Sequence, residues 1–229
     1  MTRRRVSPEL VFRLVVAPLT WLVAVVFRLR VVGAEHVPRR GPVLLVANHV
    51  SFWDPVVLMT TLYRLGLRPR FLALDTFFRI PLFGWALRTA EQIPVTRGGG
   101  IAPVADAACA QLDAGNPVLI YIEGRIPAPG DVVRPKRGAG LIALRSGVPV
   151  IPIAMWGMQR GHPWWWHLRV RRPAAVVFGP PVDLSPWAGR EDREATRAVA
   201  EAMFARIREQ LRCAQGIVAG DPGVEESVA

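Results

Sequence analysis

One short segment of the chain carries side chains that could move a proton. Residues 48–54 read Asn-His-Val-Ser-Phe-Trp-Asp, so His49 and Asp54 lie five residues apart. The segment follows the apolar run Val43–Ala47 and precedes Pro55, which favours the first turn of a helix. Across such a strand-to-helix turn, a carboxylate can hold an imidazole in one tautomer while the ring takes a proton. A catalytic base is one interpretation, and a structural histidine beside an aspartate helix cap is the other.

Other common catalytic signatures are missing from the sequence. No serine has the flanking glycines of a GxSxG nucleophile elbow. Residues 138–143 formally match GxGxxA, but they follow basic residues where a dinucleotide site needs a hydrophobic strand. Cys109 and Cys213 form no CxxC or Cys/His cluster, so neither a disulfide framework nor a metal site is indicated. A His/Asp pair without a protein nucleophile suits direct attack by a substrate hydroxyl on an activated acyl group.

Short apolar runs alternate with helical stretches from residue 43 onward. The runs predicted to be strands are Val43–Ala47, Phe71–Leu74, Gln92–Val95, Val118–Ile122, Val150–Ala154 and Ala174–Phe178. The stretches predicted to be helices are Val56–Leu65, Leu82–Arg88, Val104–Ala114, Gly138–Ser146 and Arg190–Arg212. This alternation predicts an α/β fold, a sheet flanked by helices. Segment 48–54 then lies at the carboxyl end of a strand, where open α/β sheets hold functional residues.

Composition and charge indicate an ordered protein with an anionic partner. The 229 residues are 51% hydrophobic and 21% charged, with a mean hydropathy of +0.25, which excludes global disorder. The net charge is +11, and residues 1–90 contain 13 arginines against four acidic residues. Because this basic region is also apolar, the pattern favours an anionic membrane surface over a nucleic acid.

The N-terminal segment combines a basic start with an apolar stretch. Arg3–Arg5 precede the run Leu10–Phe27, which Arg13 and Pro18 interrupt, and no Ala-x-Ala site follows. The uninterrupted apolar part is shorter than the ~20 residues of a spanning helix. We therefore expect an uncut helix, kinked at Pro18, that dips into one leaflet while Arg3–Arg5 and Arg28–Arg30 bind headgroup phosphates. The alternative is a core helix of a soluble domain.

The chain divides into three predicted parts: a membrane-associated segment at 1–30, a catalytic domain at 31–215 and a small, disordered acidic tail at 216–229. Trp164–Trp166, beside His162 and His167, form an aromatic and basic cluster. This cluster is either a second membrane contact or a packed surface hairpin.

Four ordered blocks of sequence resemble those of a known family. Residues 48–54 match its NHxSxxD block; the others are 77–85 with 93–97, 121–124 with 136–138, and 148–154. Over residues 30–185 the chain resembles the lysophosphatidic acid acyltransferases, or 1-acyl-sn-glycerol-3-phosphate acyltransferases, and their glycerolipid acyltransferase relatives. The resemblance implies their fold, a mixed β-sheet flanked by helices, with an N-terminal membrane-associated helix.

The sequence departs from the family pattern at five positions. Glu91 replaces the usual glycine of the second block, and Leu74 replaces a frequent basic residue. In the third block Ile122 replaces the frequent proline, while Arg125 and Ile126 stand where Thr-Arg is usual. These departures fall on the blocks that bind substrate phosphate, so they bear on the substrate more than on the reaction.

The resemblance implies a role for each matching residue of the first block. His49 is the general base and Asp54 orients it, while Asn48 and Ser51 shape the turn or donate hydrogen bonds to the site. No metal or other cofactor is implied. The co-substrate is acyl-CoA or acyl carrier protein, and the acceptor is 1-acyl-sn-glycerol-3-phosphate, which becomes phosphatidic acid.

The substrate-binding residues implied by the other blocks are Arg97, Glu123, Gly124, Arg125, Lys136 and Arg137. The arginines at 97 and 125 are candidates for the acceptor phosphate, because a guanidinium fork matches phosphate geometry. Glu123 is expected to hold one of these arginines or an acceptor hydroxyl, unless it forms only a structural salt bridge. Lys136 and Arg137 meet the phosphates of the acyl carrier, or belong to a solvated basic loop.

Two alternatives to phosphatidic acid synthesis remain at this stage. The acceptor could be another lysophospholipid or a lipid-linked polar molecule, or the chain could be a catalytically degenerate lipid-binding protein on the same scaffold. For an enzyme of this family we expect a location on the cytoplasmic face of the cell membrane, monotopic or peripheral, with membrane lipids rather than nucleic acid as its partner.

Overall fold

The computed structural model describes residues 8–96, 98–128, 130–159 and 171–221. In these ranges the strands are β1 (Phe27–Val32), β2 (Leu44–Ala47), β3 (Arg70–Leu74), β4 (Ile93–Val95), β5 (Val118–Tyr121), β6 (Val150–Trp156) and β7 (Arg172–Phe178). The helices are α1 (Pro8–Val26), α2 (Asp54–Arg64), α3 (Pro81–Thr89), α4 (Ile101–Asp113), α5 (Arg137–Ser146) and α6 (Arg193–Ala219). The structure thus confirms the six predicted strands and five predicted helices.

The strands form one mixed sheet in the order β1-β7-β6-β2-β5-β3-β4. Strands β6, β2, β5, β3 and β4 run parallel to one another. Strand β7 is antiparallel to β6, and β1 pairs with β7 in parallel. The central strand β2 is therefore flanked on both sides by parallel neighbours, whose carboxyl ends all reach the same edge of the sheet.

Helices cover both faces of the sheet, because successive side chains of a strand point to opposite faces. In β2, Leu45 and Ala47 belong to the apolar cluster that includes Val57 and Leu58 of α2. Leu44 and Val46 belong to the opposite cluster, formed with α4, α5 and α6. Since all four β2 side chains are fully buried, this strand is the centre of the molecule.

The first strand crosses the predicted boundary at residue 30. Arg28 and Arg30, expected to hold lipid headgroups at the end of a membrane segment, lie within β1, and their contact with headgroups stays a prediction. They alternate with Phe27 and Leu29, which pack on the α2 face of the sheet. An edge strand that is buried on one side shows this alternation. The sequence analysis missed the strand because two of its six residues are arginines and the segment was interpreted as membrane-associated.

Helix α1 has a buried and an exposed side. Val16, Val23 and Val26 are buried, and the helix contacts α2. Leu14 and Trp21, by contrast, are 65% and 69% exposed. Within the described ranges, no helix combines the length and the hydropathy that crossing a bilayer requires.

The C-terminal helix is longer than the sequence predicted. Helix α6 continues through Ala219 and ends at Gly220, which has a left-handed backbone. Ile217 and Val218 pack on a small cluster with Ala175 and Val177 of β7. This packing orders a turn that was assigned to the tail at 216–229; residues 222–229 of that tail lie outside the described residues.

Gly140 lets helix α5 approach helix α6 closely, because it has no side chain. A Cβ atom there would lie 1.9 Å from the carbonyl oxygen of Thr196, a backbone atom of α6, whereas one at Gly138 in the same helix would meet only Ile101 Cγ2 at 3.4 Å. Gly140→Ala should therefore destabilise the protein by ~1–3 kcal/mol through overpacking, lowering Tm by ~2–4 °C per kcal/mol. Thermal unfolding followed by circular dichroism measures this. Gly138→Ala is the matched control and should keep or raise Tm; equal Tm values for the two variants would contradict the packing argument.

Candidate active site

The candidate site lies where the neighbouring parallel strands β2 and β5 end. Ala47 and Tyr121, the last residues of these strands, are register partners. The residues that follow them therefore meet at one edge of the sheet, and the backbone N–H of His49 donates a hydrogen bond of 3.0 Å to Glu123 Oε2. This pairing brings the first and third sequence blocks together.

His49 and Asp54 form the predicted imidazole–carboxylate pair. His49 Nδ1 lies 2.8 Å from Asp54 Oδ2, and that same oxygen accepts hydrogen bonds from the backbone N–H groups of Val50 and Ser51 at 2.6 and 2.8 Å. Because Oδ2 already acts as an acceptor, Nδ1 carries the proton and donates it. Nε2 is therefore left as the basic nitrogen of a side chain that is 15% exposed.

The position of Asp54 in the fold affects the pKa of its carboxyl group. Its side chain is fully buried at the first turn of α2, where the helix dipole favours an anion. Burial raises the pKa of Asp54, while the hydrogen bonds from His49 and from the two backbone amides oppose that rise. Asp54 is thus a desolvated carboxylate, and the hydrogen bond from the His49 ring is the contact that opposes the rise of its pKa most.

Glu123 is the second buried acid of the site. Burial raises its pKa to about 8, the nearby Asp54 carboxylate adds to the rise, and backbone hydrogen bonds, among them the one from His49, oppose it. Near neutral pH, Glu123 is therefore largely a neutral acid that holds the His49 backbone. The expected contact of Glu123 with one of the two arginines or with an acceptor hydroxyl stays a prediction.

Asn48 and Ser51 hold the turn in shape. The Asn48 side chain, 3% exposed, donates from Nδ2 to the carbonyl of Met155 and accepts at Oδ1 from the N–H of the same residue, at 3.0 and 2.7 Å. Ser51 Oγ accepts from the backbone N–H of Trp53 at 3.3 Å. Of the two roles proposed for these residues, the geometry supports shaping of the turn.

Two aromatic contacts support the turn. The Tyr121 ring lies parallel to the His49 ring, with centroids 3.9 Å apart and an angle of 11° between the planes. Trp53 packs edge-on against Phe27 of β1, with centroids 5.5 Å apart. The role of Tyr121 was missed in the sequence, although its place at the end of a strand beside Glu123 was a signal for it.

The remaining residues of the third block lie next to Glu123. Gly124 has a φ of 68°, a left-handed conformation, and a Cβ there would lie 3.3 Å from Lys136 Cγ. Lys136 is the N-cap of α5 and Arg137 is its first residue. The structure thus brings Gly124 and Lys136 together beside the acids, with Arg137 following directly.

Of the two arginines predicted to bind phosphate, the structure describes Arg125. Arg125 is 60% exposed and forms an ion pair with Asp131, with Nη2 and Oδ2 2.6 Å apart. Arg97 lies outside the described residues, as does the cluster Trp164–Trp166. The phosphate-binding role of both arginines therefore stays a prediction.

The glycine-to-glutamate departure in the second block also has a structural explanation. Glu91 follows α3 with a φ of 54°, a conformation in which glycine carries no steric cost. Its carboxylate pairs with Arg70 of β3, and the neighbouring Gln92 Oε1 accepts from the N–H of Phe71 at 2.7 Å. An ion pair thus accompanies the non-glycine residue at this turn.

Known proteins resemble this chain in sequence. Residues 28–156 match a family model described as Acyltransferase. The 1-acyl-sn-glycerol-3-phosphate acyltransferase of Pseudomonas aeruginosa is 31% identical over 79% of this chain and 67% of its own length. A chloroplast protein of the same name from Arabidopsis thaliana is 30% identical over 57% of this chain, which spans only 36% of that relative's length. The lyso-ornithine lipid O-acyltransferase of Pseudomonas aeruginosa is 34% identical over 61% of this chain and 52% of its own length.

A solved structure has the same fold. The crystal structure of the 1-acyl-sn-glycerophosphate acyltransferase from Thermotoga maritima matches with a TM-score of 0.64 and 23% identity, over 89% of this chain and 79% of that one. The predicted architecture, a mixed sheet flanked by helices, is confirmed by this likeness.

The buried Glu123 makes stability depend on pH. Its ordinary pKa of 4.5 rises to about 8 in the folded protein, so the folded state retains a proton that the unfolded state loses. The free energy of unfolding should therefore fall as pH rises from about 4.5 to about 8. Glu123→Gln, which cannot ionise, should show a flatter profile in urea denaturation at pH 5, 6, 7 and 8.

The matched control for this measurement is Glu201→Gln, on the exposed side of α6. It should keep the wild-type slope, since Glu123 and Asp54 are unchanged in it. If Glu123→Gln also kept the wild-type slope, Glu123 would not be the group that binds the extra proton.

Proposed function

The chain belongs to the acyltransferase family, as its sequence blocks predicted, and we propose that it transfers a fatty acyl group to the free hydroxyl of 1-acyl-sn-glycerol-3-phosphate. The product is phosphatidic acid, made for phospholipid biosynthesis. The observation that carries this proposal is the His49–Asp54 pair at the carboxyl edge of the sheet, bonded at 2.8 Å. It supplies a general base in a chain whose relatives are named as acyltransferases.

In the proposed reaction the acceptor hydroxyl is the nucleophile. His49 Nε2 takes its proton as the oxygen attacks the thioester carbonyl of the acyl donor. The new C–O bond forms, the C–S bond breaks, and the imidazolium returns the proton to the leaving thiolate. Asp54 keeps Nδ1 protonated and stabilises the charged ring throughout. Because the alcohol attacks directly, no acyl-enzyme is needed, and alignment of the two substrates supplies much of the acceleration.

The remaining site residues are assigned to substrate binding. Arg97 and Arg125 bind the acceptor phosphate, for which Arg125 must exchange its Asp131 partner. Glu123, largely protonated near neutral pH, holds the turn and can donate to an acceptor hydroxyl. Lys136 and Arg137 meet the phosphates of the donor, acyl-CoA or acyl carrier protein.

A second candidate acceptor is another lysolipid with a different polar head. The ion pair of Arg125 with Asp131 favours this alternative, because it occupies a guanidinium that the phosphate would need. The similarity to a lyso-ornithine lipid O-acyltransferase points in the same direction. Both candidates use the same chemistry at His49 and differ only in the head group.

The proposal extends to location, the cytoplasmic face of the cell membrane. It is supported by exposed apolar side chains on two helices, which we call together the apolar patch: Leu14 and Trp21 of α1 with Leu82, Phe83 and Trp85 of α3. The two helices contact each other, and Leu82 is 78% exposed. Exposed Arg13 and Arg79 flank these residues in the sequence. An interfacial surface combines apolar and cationic side chains in this way, so the occupant we assign is an anionic bilayer.

The test of function is an acceptor panel with labelled acyl-CoA. Wild-type protein should consume the thioester with 1-acyl-sn-glycerol-3-phosphate at least ten times faster than with lyso-ornithine lipid or other lysophospholipids; preference for another lysolipid would select the second candidate. His49→Ala should lose nearly all turnover, and Asp54→Asn should lose ~10²–10⁴-fold in kcat because it presents the wrong tautomer.

The control for the panel is Asp106→Asn, which removes an exposed carboxylate paired with Arg145. It should keep wild-type turnover. Wild-type turnover in folded His49→Ala would contradict the assignment of His49 as the base.

The test of location is vesicle flotation. Wild-type protein should bind vesicles of phosphatidylcholine with 30 to 40% phosphatidylglycerol and lose this binding in phosphatidylcholine alone or in high salt. The double variant Leu82→Ser/Trp85→Ser should bind at least about a hundredfold more weakly, because each apolar side chain buried in the bilayer contributes ~1.5–3 kcal/mol and each ~1.4 kcal/mol is tenfold in affinity. Val132→Ser is the control, because Val132 is as exposed as Leu82 but lies in the loop between β5 and α5. Equal binding by the two variants would count against the apolar patch.

A further inference from the structure

The His49 imidazole is restrained by a hydrogen bond at one nitrogen and by a ring against one face. Nδ1 is fixed to Asp54 Oδ2 at 2.8 Å. The Tyr121 ring covers a face of the imidazole, with centroids 3.9 Å apart and nearly parallel planes. A single hydrogen bond at Nδ1 fixes that atom but leaves the ring able to turn about it. The stacked ring removes this freedom.

We propose that Tyr121 is a positioning residue of the acyl transfer: its ring holds the His49 imidazole so that Nε2 faces the acceptor hydroxyl, and its π face stabilises the imidazolium formed in the reaction. The inference rests on the proposed role of His49 as the base. An aromatic face attracts a cation within about 6 Å of its centroid, and parallel stacking adds a preferred orientation.

The ring of Tyr121, rather than its hydroxyl, carries this role. The hydroxyl oxygen is buried and has no hydrogen-bond partner among the described residues. Burial raises the pKa of Tyr121, and the carboxylates of Asp54 and Glu123 add to the rise, so the phenol stays neutral. Because an unpaired buried hydroxyl is a cost to stability, phenylalanine should replace Tyr121 without loss.

The geometry of the sheet makes this contact possible. Tyr121 is the register partner of Ala47, two residues before His49, so its side chain is delivered to the turn by strand pairing. Its ring packs against the same apolar cluster as Val57 and Leu58 of α2. The ring is therefore fixed by the core and can act as a rigid support for the imidazole.

The experiment compares Tyr121→Phe with Tyr121→Leu, using the best acceptor of the panel. Tyr121→Phe should keep kcat within about threefold of wild type, with an equal or higher Tm. Tyr121→Leu should lower kcat at least about tenfold, since small misplacements of reacting groups are costly. It should also move the acid limb of the kcat/KM profile to lower pH by about half a unit, because the imidazolium loses its π partner.

The control is Phe71→Leu, which makes a comparable aromatic-to-leucine change in the same apolar cluster. It should lower Tm while leaving kcat and the pH profile unchanged. The proposal is overturned if Tyr121→Leu behaves like this control, or if Tyr121→Phe loses as much activity as Tyr121→Leu, since the hydroxyl would then carry the effect.

A second measurement does not depend on turnover. The chain has four histidines, so the ring C–H resonances of His49 can be assigned in histidine-labelled protein by comparison with His49→Ala. The Tyr121 ring current should shift these resonances in wild type and in Tyr121→Phe, and the shift should vanish in Tyr121→Leu. If the His49 resonances were unchanged in Tyr121→Leu, the proposed stack would be overturned. If the wild-type protein showed the shift but consumed no thioester, the result would contradict the proposed function and leave the stack intact.

Discussion

A single carboxylate oxygen organises the site. Asp54 Oδ2 accepts hydrogen bonds from the His49 ring and from the backbone amides of Val50 and Ser51. The same contacts close the turn after β2, start α2 and select the histidine tautomer. Because the carboxylate is fully buried, the loss of any of these donors removes part of the compensation for its desolvation, which is costly. The local fold and the proposed chemistry therefore depend on the same atom.

The sheet places that turn between two supports. On one side Asn48 bonds twice to the backbone of Met155 on β6, and on the other the His49 amide bonds to Glu123 after β5. Both supports exist only because β2 lies between β5 and β6 in parallel. A central parallel strand whose neighbours end at the same edge thus provides a rigid site, which general-base catalysis with two bound substrates requires.

Burial is the main cause of the raised pKa values of the two acids in the site. Glu123 and Asp54 lie close enough to oppose each other's ionisation, and burial raises the pKa of both. For Asp54, hydrogen bonds from the His49 ring and from two backbone amides oppose this rise. For Glu123, backbone hydrogen bonds, among them the one from His49, oppose it. Both acids are therefore held in place by donors of the turn that carries His49.

The sequence alone determined the elements and the chemical group at the centre of the site. Apolar runs of strand length predicted β2 to β7, and the spacing of His49 and Asp54 across a strand-to-helix turn predicted their pairing, because these features are local in the chain. Strand β1, the partner of Arg125 and the stack of Tyr121 on His49 were decided by the tertiary structure. The strand and the stack depend on which strands become neighbours, because their partners lie 72 or more positions apart and meet only when the sheet has formed. The Arg125–Asp131 pair lies within one loop, and the conformation of that loop decides it.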